Sequence, residues 1–244
     1  MNKNRDNISV CMATYNGAKF IQEQLDSILK QLNELDEVII VDDCSKDETV
    51  NIIERYEDPR IVLIRNKINK GVNKNFEIAI GKAQYDYIFL ADQDDVWADH
   101  RVEKMIKALQ IEDVELVSGN SECISVVGDK IEWNIGKLFE VDSDKRWRNI
   151  TRIFTGKAYY YGCAMAFKRS LLKVAHPFPE YIESHDLWLA MVANIKKTNF
   201  HLEDIVLLRR IHGNNASIVQ RTYGEKIKSR WIFLLSLFEI YKKI

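Results

Sequence analysis

The sequence predicts an α/β protein with a mainly parallel sheet flanked by helices. Short apolar runs, typical of buried strands, alternate through the first half of the chain with stretches whose apolar residues keep a helical spacing. Strands that alternate with helices form βαβ units, whose right-handed crossovers make neighbouring strands parallel. The chain has 244 residues, of which 46% are hydrophobic, so it can bury the core that such a sheet needs.

The first half of the chain is predicted to contain four strands. They are residues 8–12, 38–41, 61–64 and 87–91. Four helices are predicted to follow these strands in turn. They are residues 18–32, a helix opened by a Ser45/Glu48 capping box, a helix after Gly71, and a helix capped by Asp99. In the second half we expect a strand over residues 159–167, a helix that opens at 183–188, and an apolar run at 205–208.

Composition excludes several classes of protein. A formal net charge of −1 argues against nucleic acid as a partner, since no basic field is present. The cysteines form no Cys-x-x-Cys pair, which argues against a zinc cluster and a disulfide framework. They are Cys11, Cys44, Cys123 and Cys163. The polar N-terminus shows no signal-peptide pattern, and no apolar run is long enough to span a bilayer. We therefore expect a cytoplasmic protein.

Polar side chains follow three of the predicted strands, at the sheet edge where open α/β proteins bind ligands. Thr14 and Tyr15 follow the first strand, and Asp43 follows the second. Tyr15 could stack on a nucleobase and Asp43 could accept a hydrogen bond from it. The alternatives are a packed loop aromatic for Tyr15 and a helix-cap neighbour for Asp43.

The fourth strand ends in the acidic segment Asp92-Gln-Asp94-Asp95. Because side chains alternate along an extended strand, we expect Asp92 and Asp94 on one face and Asp95 on the other. Paired carboxylates suit a hard divalent cation such as Mg²⁺ or Mn²⁺. The alternative is a solvated acidic turn.

Five motifs, which occur in the order found in the family, make the chain resemble family-2 glycosyltransferases of the GT-A fold over about residues 8–215. They are Ser9-Val-Cys-Met-Ala-Thr-Tyr-Asn16-Gly17 with Gln24 and Ser27, Val41-Asp-Asp-Cys-Ser-Lys-Asp-Glu-Thr49, Asn69-Lys-Gly71, Asp92-Gln-Asp-Asp-Val-Trp97 and Arg210-Ile-His212-Gly-Asn-Asn215. The Asp92–Trp97 form is similar to that of rhamnosyltransferases of bacterial surface polysaccharides. The resemblance implies a Rossmann-like, mixed, mainly parallel sheet flanked by helices, followed by a C-terminal helical tail.

The resemblance also implies a donor site for a nucleoside-diphosphate sugar. Thr14, Tyr15, Asp43 and Asp92 match nucleotide-binding positions, and the family handles the diphosphate with Mn²⁺ or Mg²⁺. Asp94 matches the direct metal ligand, with Asp92 and His212 as further members of the metal site. The donor implied first is dTDP-L-rhamnose, with a UDP-hexose as the second choice.

On the acceptor side, Asp186 matches the base that takes a proton from the acceptor hydroxyl in an inverting transfer. The alternative is that Asp186 only favours a helix N-terminus electrostatically. The resemblance places Gly162 beside the donor sugar. Arg210 and His185 are candidate contacts to diphosphate or acceptor, with a surface position and a structural histidine as their respective alternatives.

These roles predict a glycosyltransferase domain over residues 1–217, with a nucleotide-binding half to about residue 110 and an acceptor half over 111–217. Residues 218–244 are predicted to be an amphipathic helical tail, apolar at 231–238 and flanked by basic residues. Such a helix suits the inner face of the plasma membrane, where lipid-linked acceptors lie. The alternatives are packing on the domain or on a homodimer partner.

Two other functions stay open. A sugar nucleotidyltransferase shares the layout and the use of metal, but it needs a basic, glycine-rich first loop that this chain lacks. A non-catalytic subunit that binds nucleotide sugar is the second, and the presence of Asp92, Asp94 and Asp186 argues against it.

Overall fold

A mixed nine-stranded sheet is the centre of the computed structural model, which describes residues 5–133, 135–213 and 222–244. The strands are β1 (Ile8–Thr14), β2 (Glu37–Asp42), β3 (Ile61–Arg65), β4 (Tyr87–Asp92), β5 (Val96–Trp97), β6 (Leu116–Ile124), β7 (Lys130–Ile131), β8 (Met165–Lys168) and β9 (Asn199–Arg210). The helices are α1 (Ile21–Leu29), α2 (Thr49–Glu54), α3 (Val72–Lys82), α4 (Arg101–Leu109), α5 (Arg146–Thr155), α6 (Leu172–Ala175), α7 (His185–Lys196) and α8 (Tyr223–Lys243). The α/β class predicted from the sequence is confirmed.

The four strands of the first half are parallel and lie in the order β3-β2-β1-β4. Their residues alternate between two apolar clusters on opposite faces of the sheet. Cys11 and Leu90 belong to the cluster covered by α3, α5, α7 and α8, whereas Val10 and Phe89 belong to the one covered by α1 and α4. A strand buried on both faces is apolar throughout, which is why β1, β2 and β4 are visible in the sequence, whereas the edge strand β3 is only partly buried.

The register of the parallel strands brings their polar carboxyl ends together. Thr14 of β1 lies opposite Asp42 of β2, and Ala13 lies opposite Asp92 of β4. The three strand ends that the sequence marks as polar therefore meet at one edge of the sheet.

The second half of the sheet is mixed. β8 is antiparallel to both β4 and β6, and β9 runs parallel to β6. β5 pairs antiparallel with β9, so that Val96 lies opposite Leu208. This pairing fastens the end of β9 beside the acidic segment that follows β4.

Three local predictions are wrong. α2 has no capping box, because Ser45 hydrogen-bonds to Asp42 instead and the helix begins only at Thr49. Asp99 does not cap α4, since its carboxylate pairs with Lys30 at 2.9 Å. Residues 159–167 are not one strand, because a 3₁₀ turn over Gly162–Ala164 precedes β8.

The tail forms the helix α8, which begins with a capping box between Thr222 and Glu225. Its buried residues Phe233 and Ile240 join the apolar cluster of α5 and α7. The predicted domain boundary at 217/218 lies outside the described residues, as do the first four residues of the N-terminus. Among the described helices, none is both long and apolar enough to cross a bilayer.

Candidate functional site

The chain turns directly after Asp92, and this turn decides where the acidic side chains lie. Because β4 ends at Asp92, Asp95 is not directed away as expected. Its carboxylate lies within 4.8 Å of the Asp92 carboxylate and of Cys163 Sγ, and it accepts a hydrogen bond of 3.0 Å from the Arg210 amide. The expectation that Asp95 points to the opposite face is therefore wrong, and the turn collects three carboxylates instead of two.

Asp94 and His212 lie in contact although 118 positions separate them. His212 Nε2 is 2.8 Å from Asp94 Oδ2, and the imidazole stacks on Phe20 with ring centroids 5.1 Å apart. This is the pair that the resemblance implied for a metal site. The rest of the His212 motif, Asn214 and Asn215, falls outside the described residues.

The acidic cluster is electrostatically strained. Burial, followed by the charges of Asp94 and Asp186, raises the pKa of Asp92 from 3.8 to about 7. Burial and the charges of Asp94 and Asp92 raise the pKa of Asp95 well above its usual range. A bound cation would relieve this repulsion, so the cluster fits a divalent ion.

Cys163 borders the cluster but is a poor partner for such an ion. Burial and the neighbouring charges of Asp95 and Asp92 raise the pKa of its thiol well above the usual range, so the sulfur keeps its proton. Only a thiolate is a good metal ligand, and Mg²⁺ and Mn²⁺ prefer oxygen. The donor set that fits a hard cation is therefore oxygen from the carboxylates, with the imidazole of His212.

Two arginines that the sequence does not single out neighbour the acidic cluster. Arg101 is fully buried, stacks on Trp97 at 4.4 Å, and donates to the carbonyls of Cys163 at 2.6 Å and Leu90 at 3.2 Å. Burial lowers the pKa of Arg101 to about 10, which leaves it charged at neutral pH. Arg209 stacks on Tyr161 at 4.2 Å, and its charge lowers the pKa of Asp92.

Arg210 fastens the acidic turn. Its guanidinium donates to the backbone carbonyl of Asp94 at 3.1 Å and to the Glu23 carboxylate at 2.5 Å. Two further bonds of 3.1 Å reach the carbonyls of Ser125 and Val126. The side chain is 1% exposed, so its visible role is to position Asp94, and direct contact with a diphosphate stays a prediction.

The residues predicted to bind the nucleoside are held in place by a separate set of hydrogen bonds. Asp43 accepts from the amides of Lys70 at 2.7 Å and Gly71 at 2.9 Å, and from Asn66 Nδ2 at 3.0 Å. Burial alone would raise the pKa of Asp43, but these hydrogen bonds outweigh it and hold that pKa below its usual value. Thr14 Oγ1 donates to Asp42 at 3.1 Å.

Gln93 holds the Tyr15 loop against the acidic turn, a role that sequence reasoning missed. Its side-chain amide accepts from the Tyr15 amide at 2.8 Å and donates to the Tyr15 carbonyl at 3.0 Å. A Cβ at Gly17 would lie 2.2 Å from Gln93 Oε1, so the clamp needs glycine there. The Tyr15 ring stays 48% exposed and accessible for stacking.

Asp186 lies at the start of α7 and is oriented by two backbone amides. Its Oδ1 accepts from Leu187 N at 2.7 Å and its Oδ2 from Gly162 N at 3.2 Å. The charge of Asp186 contributes to the raised pKa of Asp92, so the two carboxylates lie within electrostatic range of each other. Sequence-distant residues are thus brought together at the carboxyl edge of the sheet.

His185 is a buried side chain that supports this end of the site. Its ring stacks on Phe76 with centroids 4.0 Å apart, and its amide donates to Asn73 Oδ1 at 3.0 Å. Burial lowers the pKa of His185, which favours the neutral imidazole. A Cβ at Gly162 would lie 2.8 Å from His185 Nε2, so glycine allows this close approach.

Comparison with known proteins agrees with this geometry. The family model for glycosyl transferase family 2 matches residues 9–174, which is more than half of the chain. The chain belongs to this family. Membership favours a glycosyltransferase over the nucleotidyltransferase that the strand–helix layout left open.

Similar proteins extend the comparison. A dTDP-rhamnosyl transferase of Shigella flexneri, RfbG, is 39% identical over 116 residues, which are 45% of this chain and 40% of that protein. An uncharacterized glycosyltransferase of Methanocaldococcus jannaschii, MJ1057, is 28% identical over 229 residues, 91% of this chain and 76% of the relative. The match therefore spans about two fifths of the Shigella protein.

Solved structures show the same fold. S. aureus TarS in complex with UDP-GlcNAc superposes with a TM-score of 0.74 at 20% identity, over 95% of this chain and 66% of TarS. A Pyrobaculum calidifontis mannosyltransferase in complex with GDP-Man and Mn²⁺ superposes with a TM-score of 0.66 at 20% identity. The superposition covers 99% of this chain and 74% of the mannosyltransferase chain. The fold is that of the GT-A glycosyltransferases.

Proposed function

We propose that this glycosyltransferase moves a sugar from a nucleoside-diphosphate donor to a hydroxyl of a glycan or lipid-linked acceptor, with inversion at the anomeric carbon. The observation that carries the proposal is the convergence of Asp92, Asp94 and His212 with Asp186 at one edge of the sheet. A carboxylate beside a cation site suits a direct displacement, because the carboxylate can take the proton while a cation would stabilise the leaving group.

The proposed donor is dTDP-L-rhamnose, with a UDP-hexose as the second choice. The support is the 39% identity to a dTDP-rhamnosyl transferase over 116 residues, together with the likeness of the Asp92–Trp97 segment to that of rhamnosyltransferases. The proposed setting is synthesis of bacterial surface polysaccharide, in the cytoplasm or at the inner face of the plasma membrane.

In this proposal the donor half comprises about residues 1–110 and the acceptor half residues 111–217. Tyr15 stacks on the base, while Thr14 and Asp43 shape the nucleoside pocket. Asp94, His212 and Asp92 would hold Mn²⁺ or Mg²⁺, which when bound neutralises charge on the leaving diphosphate. Gly162 lets the chain approach the sugar closely.

Asp186 is the proposed base. The acceptor hydroxyl gives its proton to the Asp186 carboxylate as its oxygen attacks the anomeric carbon. Two backbone donors hold that carboxylate in a fixed orientation before the acceptor arrives. Pre-orientation of a base in this way lowers the entropic barrier to transfer.

The test measures sugar transfer to an acceptor, and slow hydrolysis of the donor, across a panel of dTDP- and UDP-sugars with Mn²⁺. Asp186→Asn keeps one of the two acceptor oxygens, so it should bind nucleotide normally and lose about a hundredfold or more in turnover. Glu180→Gln, an exposed acid on the preceding loop, is the matched control and should be unaffected. Near-normal turnover of Asp186→Asn would move the base to Glu183 or His185. Absence of hydrolysis with every donor would favour the non-catalytic binding subunit.

The metal site has its own test. Asp94→Asn should weaken Mn²⁺-dependent binding of a nucleoside diphosphate by about tenfold or more, because removing one hydrogen-bonded charge partner usually costs a few kcal/mol. Binding is measured by titration calorimetry with and without Mn²⁺. Glu48→Gln, an exposed acid before α2, is the control. Unchanged affinity in Asp94→Asn would exclude Asp94 as a metal ligand.

A further inference from the structure

The helix α8 has two apolar faces, of which only one is covered. The face toward the domain carries the buried residues Ser229, Phe233, Ser236 and Ile240. The opposite face carries large exposed apolar side chains at alternating spacings of four and three. They are Ile227, Trp231, Leu234, Phe238 and Tyr241, with Leu235 beside them. We call this set the outer stripe.

The outer stripe is not a scatter of single surface residues. Trp231 is 65% exposed and Phe238 62% exposed, one above the other on the same face. Trp147 of α5 extends the surface, since Arg146 stacks on its ring at 4.4 Å and donates to the Tyr241 hydroxyl at 2.7 Å. A contiguous apolar patch of this kind marks an interaction surface.

The charges beside the outer stripe identify its partner. At 3.6 residues per turn, Lys228 and Lys242 flank the stripe on one side and Lys226 and Arg230 flank it on the other. The two acidic residues of α8 already have partners, because Glu225 closes the capping box with Thr222 and Glu239 lies 3.9 Å from Lys243. The exposed face is therefore apolar in the middle and basic at both edges.

We propose that the outer stripe lies in the interface of an anionic lipid membrane. Apolar side chains enter the acyl boundary while flanking lysines meet negative headgroups, and Trp and Tyr favour this depth. A second copy of the chain fits less well, because two such stripes in contact would bring lysines against lysines. The inference concerns the surface of α8 and does not rest on the proposed reaction.

The docked helix would lie close to the acceptor end of the site. Ser229 Oγ of α8 donates to Glu183 Oε1 at 2.8 Å, and Glu183 lies three positions before Asp186. A membrane contact through α8 thus places Glu183 and the start of α7, which carries Asp186, near the lipid surface. An acceptor anchored in that surface would reach the site without leaving it.

Flotation of the full chain with vesicles of defined composition tests the proposal. We expect binding to vesicles that contain phosphatidylglycerol, weaker binding at high salt, and little binding to phosphatidylcholine alone. Trp231→Ser/Phe238→Ser should lower the partition coefficient by more than about tenfold, since two aromatic side chains leave the apolar layer. Leu35→Ser/Ile111→Ser removes exposed apolar residues outside α8 and is the matched control.

A charge variant and a mass measurement complete the test. Lys226→Gln/Lys228→Gln/Lys242→Gln should lower binding to anionic vesicles by on the order of fivefold per lysine. Circular dichroism confirms that the variants stay folded. Wild-type protein that ignores anionic vesicles would overturn the proposal. A solution mass of two chains that the Trp231→Ser/Phe238→Ser variant halves would also overturn it, by assigning the stripe to a second copy.

Discussion

At the residue scale, the dominant feature is negative charge gathered in one place. Asp92, Asp94, Asp95 and Asp186 interact electrostatically, and Arg101 and Arg209 offset only part of the repulsion. Such a cluster stores free energy that a bound cation releases. Without metal, the stability of the folded chain should therefore depend on pH.

Asp92 gives the sign of that dependence. Its pKa is 3.8 in the unfolded reference and about 7 in the folded chain. Between these values the unfolded chain has released a proton that the folded chain still holds, so stability falls as pH rises. Above a pH of about 7 Asp92 is ionised in both the folded and the unfolded chain, and the loss of stability is complete.

We expect Asp92→Asn, which carries no such charge, to gain in melting temperature relative to wild type as the pH rises from about 4 to 7. The comparison is made by thermal unfolding in the presence of a chelator, and Mn²⁺ should reduce the difference. Because Asp92 also raises the pKa of Asp95, the variant reports the coupled cluster. A difference that stays constant across this pH range would contradict the assignment.

Single residues also show where prediction from sequence stops. Asp92 and Asp94 are visible because they end an apolar run, and His212 is visible within a motif. The inward turn of Asp95 depends on the backbone after β4, and the burial of Arg101 depends on Trp97 and on the carbonyls of distant strands. Neither leaves a local pattern, because both arise from tertiary contacts.

At the element scale, the β6–β9 pair fixes where the end of β9 lies. The register between these strands shifts at Gly119/Asn120 and again at Asn120/Ser121, and these irregularities set the path of β9 toward Arg210. The strands of the first half were predictable, since each is apolar throughout. A strand ending at Phe167 was predicted too, but its antiparallel place between β4 and β6 was not, because that place depends on partners distant in the chain.

Gly119 tests this strand pair. A Cβ at Gly119 would lie 2.5 Å from Val206 Cγ2, whereas a Cβ at Gly81 in α3 would meet nothing within 4 Å. Gly119→Ala should lower the free energy of unfolding by about 1–3 kcal/mol through overpacking. Gly81→Ala, the matched control, should raise it by about 0.5–1 kcal/mol, because alanine is the better helix former.

Urea denaturation measures both changes. Adding Val206→Ala should reduce the cost of Gly119→Ala, since it removes the clashing methyl groups. If Gly119→Ala unfolds at the urea concentration of wild type, the close contact does not constrain the strands.

At the scale of the whole molecule, α8 joins the same apolar core as the central sheet. Phe233 packs on Phe154 with ring centroids 5.1 Å apart, Ile240 is fully buried, and Lys243 lies over Trp188 at 5.8 Å. The sequence marked this helix as separate in character, because its outer stripe differs from the rest of the chain. The inner face of α8 packs on α5 and α7, which confirms the alternative in which the tail packs on the domain.

Shared packing should make the sheet and α8 unfold together. Phe233→Ala removes a ring that is 9% exposed and should lower the free energy of unfolding by about 3 kcal/mol, the usual scale for a buried aromatic. Phe238→Ala on the same helix removes a ring that is 62% exposed and should change it by less than about 0.5 kcal/mol. Calorimetry is expected to show one transition for both variants, and nucleoside-diphosphate affinity should be retained. A second, earlier transition in Phe233→Ala, with the main transition unmoved, would show instead that α8 is attached to the domain without sharing its stability.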